Sequence, residues 1–177
     1  MENNVGSYLT KRSNMNGKSE AYVDSASDLR LTFEELNDRV NRVANMLLDH
    51  GIKKGDRVAI LMMNSVEFVE VYLATAKIGG VVVPLNWRLV ADELEFILRD
   101  SGSVVLVCGE EFSELATELY SRGEKTLLKK WFCSKGNNNP EFSIDYESAR
   151  DEAEASEPAI GAKDDYLLYI MYTSGTT

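Results

Sequence analysis

Short apolar runs alternate with helical segments through most of the chain, and this alternation constrains the fold more than any other feature. Three runs rich in β-branched residues occupy residues 58–62, 81–83 and 103–107. Segments with apolar residues at helical spacing lie between them, and Gly51 and Gly79 stand where helices end. Strands and helices that alternate in this way form parallel βα units. The sequence therefore predicts an α/β fold whose mainly parallel sheet is sandwiched by helices.

Capping residues predict where several helices begin. Thr32 with Glu35 three residues later matches a capping box, and Asn64 with Glu67 repeats the pattern at the next helix. Another helix is expected over about residues 92–100. Its inward-facing positions are predicted to be Val90, Leu94, Ile97 and Leu98.

The second half of the chain is less regular. A fourth strand is expected over residues 126–128 and 131–132, at an edge of the sheet because Lys129–Lys130 interrupts it. Residues 134–163 are rich in Gly, Asn and acidic side chains, which indicates a surface excursion with one short helix. A last strand is expected over residues 166–172.

Composition narrows the class of protein. The 177 residues suit a single domain, so residues 1–177 are expected to be one domain or a large piece of one. With 19 basic and 29 acidic residues the net charge is −10, which disfavours nucleic acid and anionic membrane surfaces as partners. The sequence has no apolar stretch of the ~20 residues that a transmembrane helix needs. The amino-terminal residues lack signal-peptide features, which predicts a cytoplasmic protein.

Two cysteines, Cys108 and Cys133, stand beside apolar residues and lack metal-ligand spacing. They are expected to be buried free thiols, with a disulfide as the alternative. The single histidine, His50, precedes Gly51 and is expected to have a helix-end role. Arg88 follows an expected strand end, where contact with an anion and a solvent or salt-bridge role both remain open.

The sequence closes with hydroxyl residues and glycine, Thr173-Ser174-Gly175-Thr176-Thr177, directly after the last expected strand. Loops at the carboxyl ends of parallel strands are where open α/β sheets bind ligands. Glycine permits close approach of the backbone, and amide groups with hydroxyls can surround an anion such as phosphate. The stretch does not match the GxxxxGK[ST] phosphate loop. Composition alone favours a solvated turn.

The hexapeptide YTSGTT at 172–177 resembles the opening of the phosphate-loop signature of adenylate-forming enzymes. This family includes acyl- and aryl-CoA synthetases, peptide-synthetase adenylation domains and luciferases. Four upstream stretches resemble the family in the same order, so the likeness covers roughly residues 20–177. They are LTFEEL at 31–36, GIKKGDRVA at 51–59, NSVEF at 64–68 and GGVVVPLN at 79–86.

The resemblance implies part of the large domain of the acyl-CoA synthetase-like fold, with a carboxy-terminal domain outside this chain. It implies a reaction that uses ATP and Mg²⁺ to join a carboxylic acid to AMP, and then transfers the acyl group to coenzyme A. Nucleotide binding is carried over to Thr173, Ser174, Gly175, Thr176 and Thr177, and magnesium ligation to Thr173. No catalytic residue is assigned within the chain, which alone is expected to be inactive and to self-associate through unpaired sheet edges.

The preferred hypothesis is the amino-terminal part of an acid:CoA ligase that acts on fatty or related acids. Two alternatives stay open: a short non-catalytic α/β module that binds a nucleotide or a partner, and part of a peptide-synthetase adenylation domain. The identity of the acid is not determined by these residues.

Overall fold

The computed structural model describes residues 5–134, 136, 139–159 and 165–173. The α-helices in these residues are α1 (Val5–Asn16), α2 (Phe33–Asp49), α3 (Val66–Lys77), α4 (Ala91–Ser101), α5 (Ser113–Ser121) and α6 (Tyr146–Glu152). The strands are β1 (Glu20–Asp24), β2 (Leu29–Thr32), β3 (Arg57–Leu61), β4 (Val81–Pro84), β5 (Ser103–Gly109), β6 (Lys130–Ser134) and β7 (Ile144–Asp145). Short 3₁₀ turns cover Glu110–Phe112 and Gly123–Lys125.

The central sheet has five parallel strands in the order β4-β3-β5-β6-β7. On β3, Val58 and Ile60 face a core formed with α2, α3 and α6, whereas Ala59 and Leu61 face a second core formed with α4 and α5. Both faces are covered, as expected for a parallel sheet. The predicted α/β sandwich is therefore confirmed.

Two elements lie outside this sandwich. Strands β1 and β2 form a separate antiparallel hairpin. Helix α1, which was not predicted from the sequence, packs on α2 and α3. Its approach to α3 is close, because a Cβ added to Gly6 would lie 2.6 Å from the backbone nitrogen of Lys77. Only glycine fits at this contact.

The helix caps partly match the predictions. The Thr32–Glu35 capping box is confirmed: the Glu35 N–H donates to Thr32 Oγ1 over 3.3 Å, and the Thr32 N–H donates to Glu35 Oε2 over 2.8 Å. The prediction that Asn64 caps α3 is wrong. Ser65 takes that position, and its Oγ accepts from the Phe68 N–H at 3.2 Å.

Two further local predictions are wrong. Val90 is 61% exposed because it precedes the first turn of α4 instead of lying on the inward face. Residues 126–128 lie outside any strand, and β6 begins only at Lys130. Strand β6 is also not an edge strand, since β7 pairs with its outer side.

The segment expected as a surface excursion, residues 134–163, contains the predicted short helix as α6. Its described residues also add β7 to the sheet, and they place the Tyr146 side chain in the core with no exposed surface. The Tyr146 hydroxyl donates to Glu70 Oε2 over 2.8 Å, which joins α6 to α3. The segment thus contributes to the core as well as to the surface.

Candidate functional site

The segment 165–173 runs along the outer side of β4. Val82 forms a parallel bridge with Tyr169, in which the Val82 N–H donates to the Leu168 carbonyl and the Ile170 N–H donates to the Val82 carbonyl, both over 2.9 Å. The expected strand over 166–172 is thus reduced to one bridge. Because the pairing is parallel, the segment ends at the same edge of the sheet as the carboxyl end of β4.

Thr173 is therefore at the carboxyl edge of the sheet, and it is exposed. This is the edge at which open α/β sheets bind ligands. Ser174, Gly175, Thr176 and Thr177 lie outside the described residues. Nucleotide binding by all five residues, and magnesium ligation by Thr173, remain predictions.

Tyr166 holds the beginning of the segment. Its ring lies 3.5 Å from the Lys54 ammonium, a cation–π contact. It also covers Gly79, where an added Cβ would lie 3.0 Å from the ring and where φ is +73°. Gly79 therefore has two roles: its positive φ ends α3, and its lack of a side chain lets the Tyr166 ring pack against it.

Tyr172 holds the end of the segment, one residue before Thr173. Its ring packs against the core formed with α4 and α5, and its hydroxyl donates to Asp100 Oδ2 over 2.5 Å. Burial, together with the hydrogen bond to this carboxylate, raises the pKa of Tyr172 to about 12. No local pattern in the sequence indicates that Asp100 is the partner of Tyr172.

The loop after β4 begins at the carboxyl end of that strand, the edge of the sheet at which Thr173 lies. The Asn86 side-chain oxygen accepts from the Arg88 N–H at 3.0 Å, which tightens the turn. The Arg88 guanidinium lies 4.8 Å from the Trp87 ring centroid, and both side chains are exposed. A cation is thus available at the same edge of the sheet as Thr173.

A crevice opens between β3 and β5. From β3 the chain adds β4 on one side and then β5 on the other, so this is the point at which the strand order changes direction along the sheet. Its volume is about 290 Å³, and residues 62–65 and 109–111 form two of its walls. The Met63 N–H donates to Glu111 Oε1 over 3.1 Å. Four carboxylates line the crevice: Asp24, Glu67, Glu110 and Glu111. Since like charges repel, the polyphosphate of a nucleotide is better suited to the β4 side of the edge.

His50 has the helix-end position that the sequence predicts. It follows α2 as the C-cap residue, with Nδ1 2.8 Å from the Met46 carbonyl oxygen, and its ring meets Phe132 edge-on at 5.1 Å. Among the residues that the structure describes, no group of three or more His, Cys, Asp or Glu side chains is placed to hold a metal ion. Of the helices in the described part of the chain, none has the length and apolar character needed to span a bilayer.

Comparison with known proteins decides the family. The family described as AMP-binding enzyme matches residues 9–177. The chain belongs to the AMP-binding enzyme family. The likeness to adenylate-forming enzymes that the YTSGTT stretch and its four upstream partners indicate is thus confirmed.

Individual AMP-binding enzymes support the assignment. The long-chain-fatty-acid–CoA ligase FadD13 of Mycobacterium tuberculosis is 39% identical over 175 residues, which cover 98% of this chain and 33% of that protein. An inhibitor-bound structure of the N-terminal domain of FACL13 from Mycobacterium tuberculosis has a TM-score of 0.88 at 37% identity, covering 99% of this chain and 42% of that one. The anthranilate CoA ligase AuaEII, in complex with anthranoyl-AMP, has a TM-score of 0.89 at 25% identity, covering 99% and 33%. The chain therefore spans about one third of the length of the curated relative.

Proposed function

We propose that this chain is part of an ATP-dependent acid:CoA ligase that activates a fatty or related carboxylic acid as an acyl-adenylate and transfers it to coenzyme A. The observation that carries the proposal is the parallel bridge between Val82 and Tyr169, which brings Thr173 to the carboxyl edge of the sheet. Two similar proteins support the chemistry: FadD13 is named a long-chain-fatty-acid–CoA ligase, and AuaEII holds anthranoyl-AMP.

The first half-reaction needs control of charge at the nucleotide. A carboxylate that attacks the α-phosphate of ATP is repelled by the phosphate charges, and the departing pyrophosphate gains charge. Donors placed around the outer phosphates lower both costs. In this proposal Thr173 and the residues up to Thr177 supply those donors, as hydroxyl and backbone N–H groups.

Magnesium fits this arrangement through Thr173. The Thr173 hydroxyl is exposed at the carboxyl edge, and oxygen is the ligand type that Mg²⁺ prefers. Magnesium commonly binds through few protein groups together with substrate phosphates. When bound, it would neutralise part of the phosphate charge. The protein's own contribution would be one hydroxyl oxygen and the orientation of the loop.

We also propose that the protein is cytoplasmic. Cys108 and Cys133 are both free and buried, and free thiols are typical of proteins in a reducing cytoplasm.

A further proposal is that the chain taken alone self-associates. Leu167, Tyr169 and Met171 are 59%, 45% and 61% exposed on the outer segment of the sheet. An exposed apolar edge of this kind favours association.

The proposal is tested with the complete gene product, including any sequence beyond Thr177. Exchange of pyrophosphate into ATP is measured against a panel of carboxylic acids, and acyl transfer is then followed with coenzyme A. We expect acid-dependent exchange and a thioester product. Exchange without transfer to coenzyme A would instead point to a carrier-protein acceptor, as in the peptide-synthetase alternative.

A pair of variants at Thr173 connects the activity to the edge of the sheet. Thr173→Ala removes the hydroxyl and should lower kcat/KM for ATP roughly tenfold or more, because one donor to the phosphates is lost. Thr173→Ser retains the hydroxyl and should stay within about threefold of the wild type. A folded protein with no acid-dependent exchange across the panel would overturn the proposed function.

A further inference from the structure

The segment that carries Thr173 has little backbone attachment to the sheet. Among the described residues, its contact with β4 is one bridge with two hydrogen bonds, both to Val82. Each such bond contributes only about 1 kcal/mol net. The position of the segment therefore depends on side-chain contacts, which involve Tyr166, Ile170 and Tyr172.

The contact at the Tyr172 end is the one that bears on Thr173. Tyr172 precedes Thr173 directly, and its hydroxyl donates to Asp100 near the end of α4 (Ala91–Ser101). A phenol–carboxylate bond of 2.5 Å is short and charge-assisted, so it is stronger than a bond between neutral groups. Helix α4 is packed on the sheet through Leu94 and Leu98, which are fully buried. The acceptor thus stands on a rigid element.

The hydroxyl and the ring of Tyr172 have separable roles. The ring is partly buried against the core and would remain packed there as phenylalanine. The hydroxyl bond adds orientation, because it fixes the rotation of the ring and hence the direction in which the backbone leaves Tyr172. If packing alone mattered, removal of the hydroxyl would have no effect on Thr173.

We propose that Asp100 is a positioning residue for Thr173, which it orients through the hydroxyl of Tyr172. Asp100 does not contact the nucleotide in this arrangement. It holds Thr173 in the orientation that binds the outer phosphates of ATP. What Thr173 binds rests on the proposed function, whereas the Asp100–Tyr172 contact rests on the structure alone.

The first experiment measures the contact without any substrate. Hydrogen exchange by mass spectrometry on the complete gene product follows the amides of residues 169–177. Tyr172→Phe and Asp100→Ala should each raise the exchange rate about fivefold, since a tether to α4 is lost. Asp100→Asn keeps an acceptor oxygen and should stay within about twofold of the wild type. Tyr120→Phe, which removes an exposed hydroxyl on α5, is the matched control and should have no effect.

The second experiment measures the consequence for ATP. Tyr172→Phe and Asp100→Ala should raise KM for ATP about fivefold, while kcat and KM for the acid stay within twofold. Asp100→Asn should restore most of the affinity. A merely structural role would instead lower the melting temperature and affect all kinetic parameters together.

The possible outcomes separate the two proposals. Unchanged exchange at residues 169–177 in Tyr172→Phe overturns the positioning role, whatever the enzyme does. Faster hydrogen exchange with an unchanged KM for ATP also overturns it, because Thr173 would then be held for another purpose. A wild-type protein without acid-dependent pyrophosphate exchange overturns the proposed function, and the hydrogen-exchange data still decide whether Asp100 orients Thr173.

Discussion

The buried ammonium of Lys77 forms a 2.8 Å ion pair with the carboxylate of Glu157, 80 residues further along the chain. Lys77 Nζ also donates to the side-chain oxygens of Asn37 and Asn41, over 2.8 and 2.7 Å. The Asn41 amide in turn donates to the Ala155 carbonyl over 3.0 Å. This cluster ties the chain after α6 to helices α2 and α3.

Glu157→Ala should destabilise the protein. The change leaves the Lys77 ammonium buried without its counter-ion, although Asn37 and Asn41 still accept from it. Complete loss of a partner in a buried pair costs about 3–5 kcal/mol, but Glu157 is 46% exposed, so we expect about 1–2 kcal/mol. Urea denaturation measures the free energy of unfolding. Glu154→Ala in the same segment is the control, with an expected change under about 0.5 kcal/mol. Equal effects of the two changes would contradict the role of the ion pair.

The contribution of Glu157 should depend on pH. Burial opposes its ionisation, but hydrogen bonds from Lys77 and Asn37 outweigh that effect and lower the pKa of Glu157 below its ordinary value of 4.5. Below pH 4.5 the unfolded chain therefore binds a proton more readily than the folded one, and the stabilisation is lost as pH falls through the folded pKa. The difference in unfolding free energy between wild type and Glu157→Gln should be largest near pH 6–7.

The same difference should shrink below about pH 4. Urea titrations at three pH values measure it, and Glu154→Gln should show no comparable trend. Burial lowers the pKa of Lys77 below its ordinary value of 10.5, although the ion pair with Glu157 opposes this shift. A Glu157→Gln effect that is the same at pH 7 and pH 3.5 would show that the carboxylate charge does not contribute.

Tyr146→Phe should cost about 2 kcal/mol of stability, although it changes one atom. The Tyr146 hydroxyl and the Arg39 guanidinium both donate to the Glu70 carboxylate, which has no exposed surface. Loss of a donor to a buried charged group is costly because water cannot replace it. Burial, together with the nearby Glu70 charge, also raises the pKa of Tyr146 well above its ordinary value, so the hydroxyl stays protonated as a donor.

Thermal and urea unfolding measure this loss. Tyr120→Phe is the matched control. Because Tyr120 is 49% exposed, loss of its hydroxyl should lower the free energy of unfolding by less than about 0.5 kcal/mol. If Tyr146→Phe leaves the free energy of unfolding unchanged, Arg39 and Arg150 must be sufficient partners for the buried Glu70 carboxylate without the phenol.

The parallel sheet could be predicted because its signal is local. Apolar runs such as residues 81–83, and glycines such as Gly51 with φ +85°, indicate strands and helix ends within a few residues of sequence. Asn64 and Ser65 are adjacent and both good capping residues, so sequence alone could not separate them. Helix α1 gave no clear apolar stripe, since only Gly6 and Leu9 are buried among its described residues.

The candidate site shows the same limit more sharply. The hydroxyl loop was found through its resemblance to a family, which local residues carry. The long-range contacts of the neighbouring segments could not be predicted from the sequence. Asp100 and Tyr172 are 72 residues apart and Lys77 and Glu157 are 80, and in the sequence they read as ordinary helix, surface or strand residues. Pairing across such distances depends on the packing of α3 and α4 against the sheet, which no local pattern reports.

The thiols of Cys108 and Cys133 should resist modification in the native protein. They are opposite each other on the neighbouring strands β5 and β6, with 2.9 Å between the sulfur atoms, and neither is more than 1% exposed. The hydrogen bond to Cys133, together with burial, raises the pKa of Cys108 well above its ordinary value, so little reactive thiolate forms there. Because both thiols are buried, an aromatic disulfide reagent should label them at least about 100-fold more slowly than in urea-unfolded protein, since reaction needs opening of the sheet. Spectrophotometric labelling of Cys108→Ser and Cys133→Ser, each at pH 7 and 8, assigns the rates to single thiols. Rapid stoichiometric labelling of either variant, while its circular dichroism remains native, would contradict the burial of the pair.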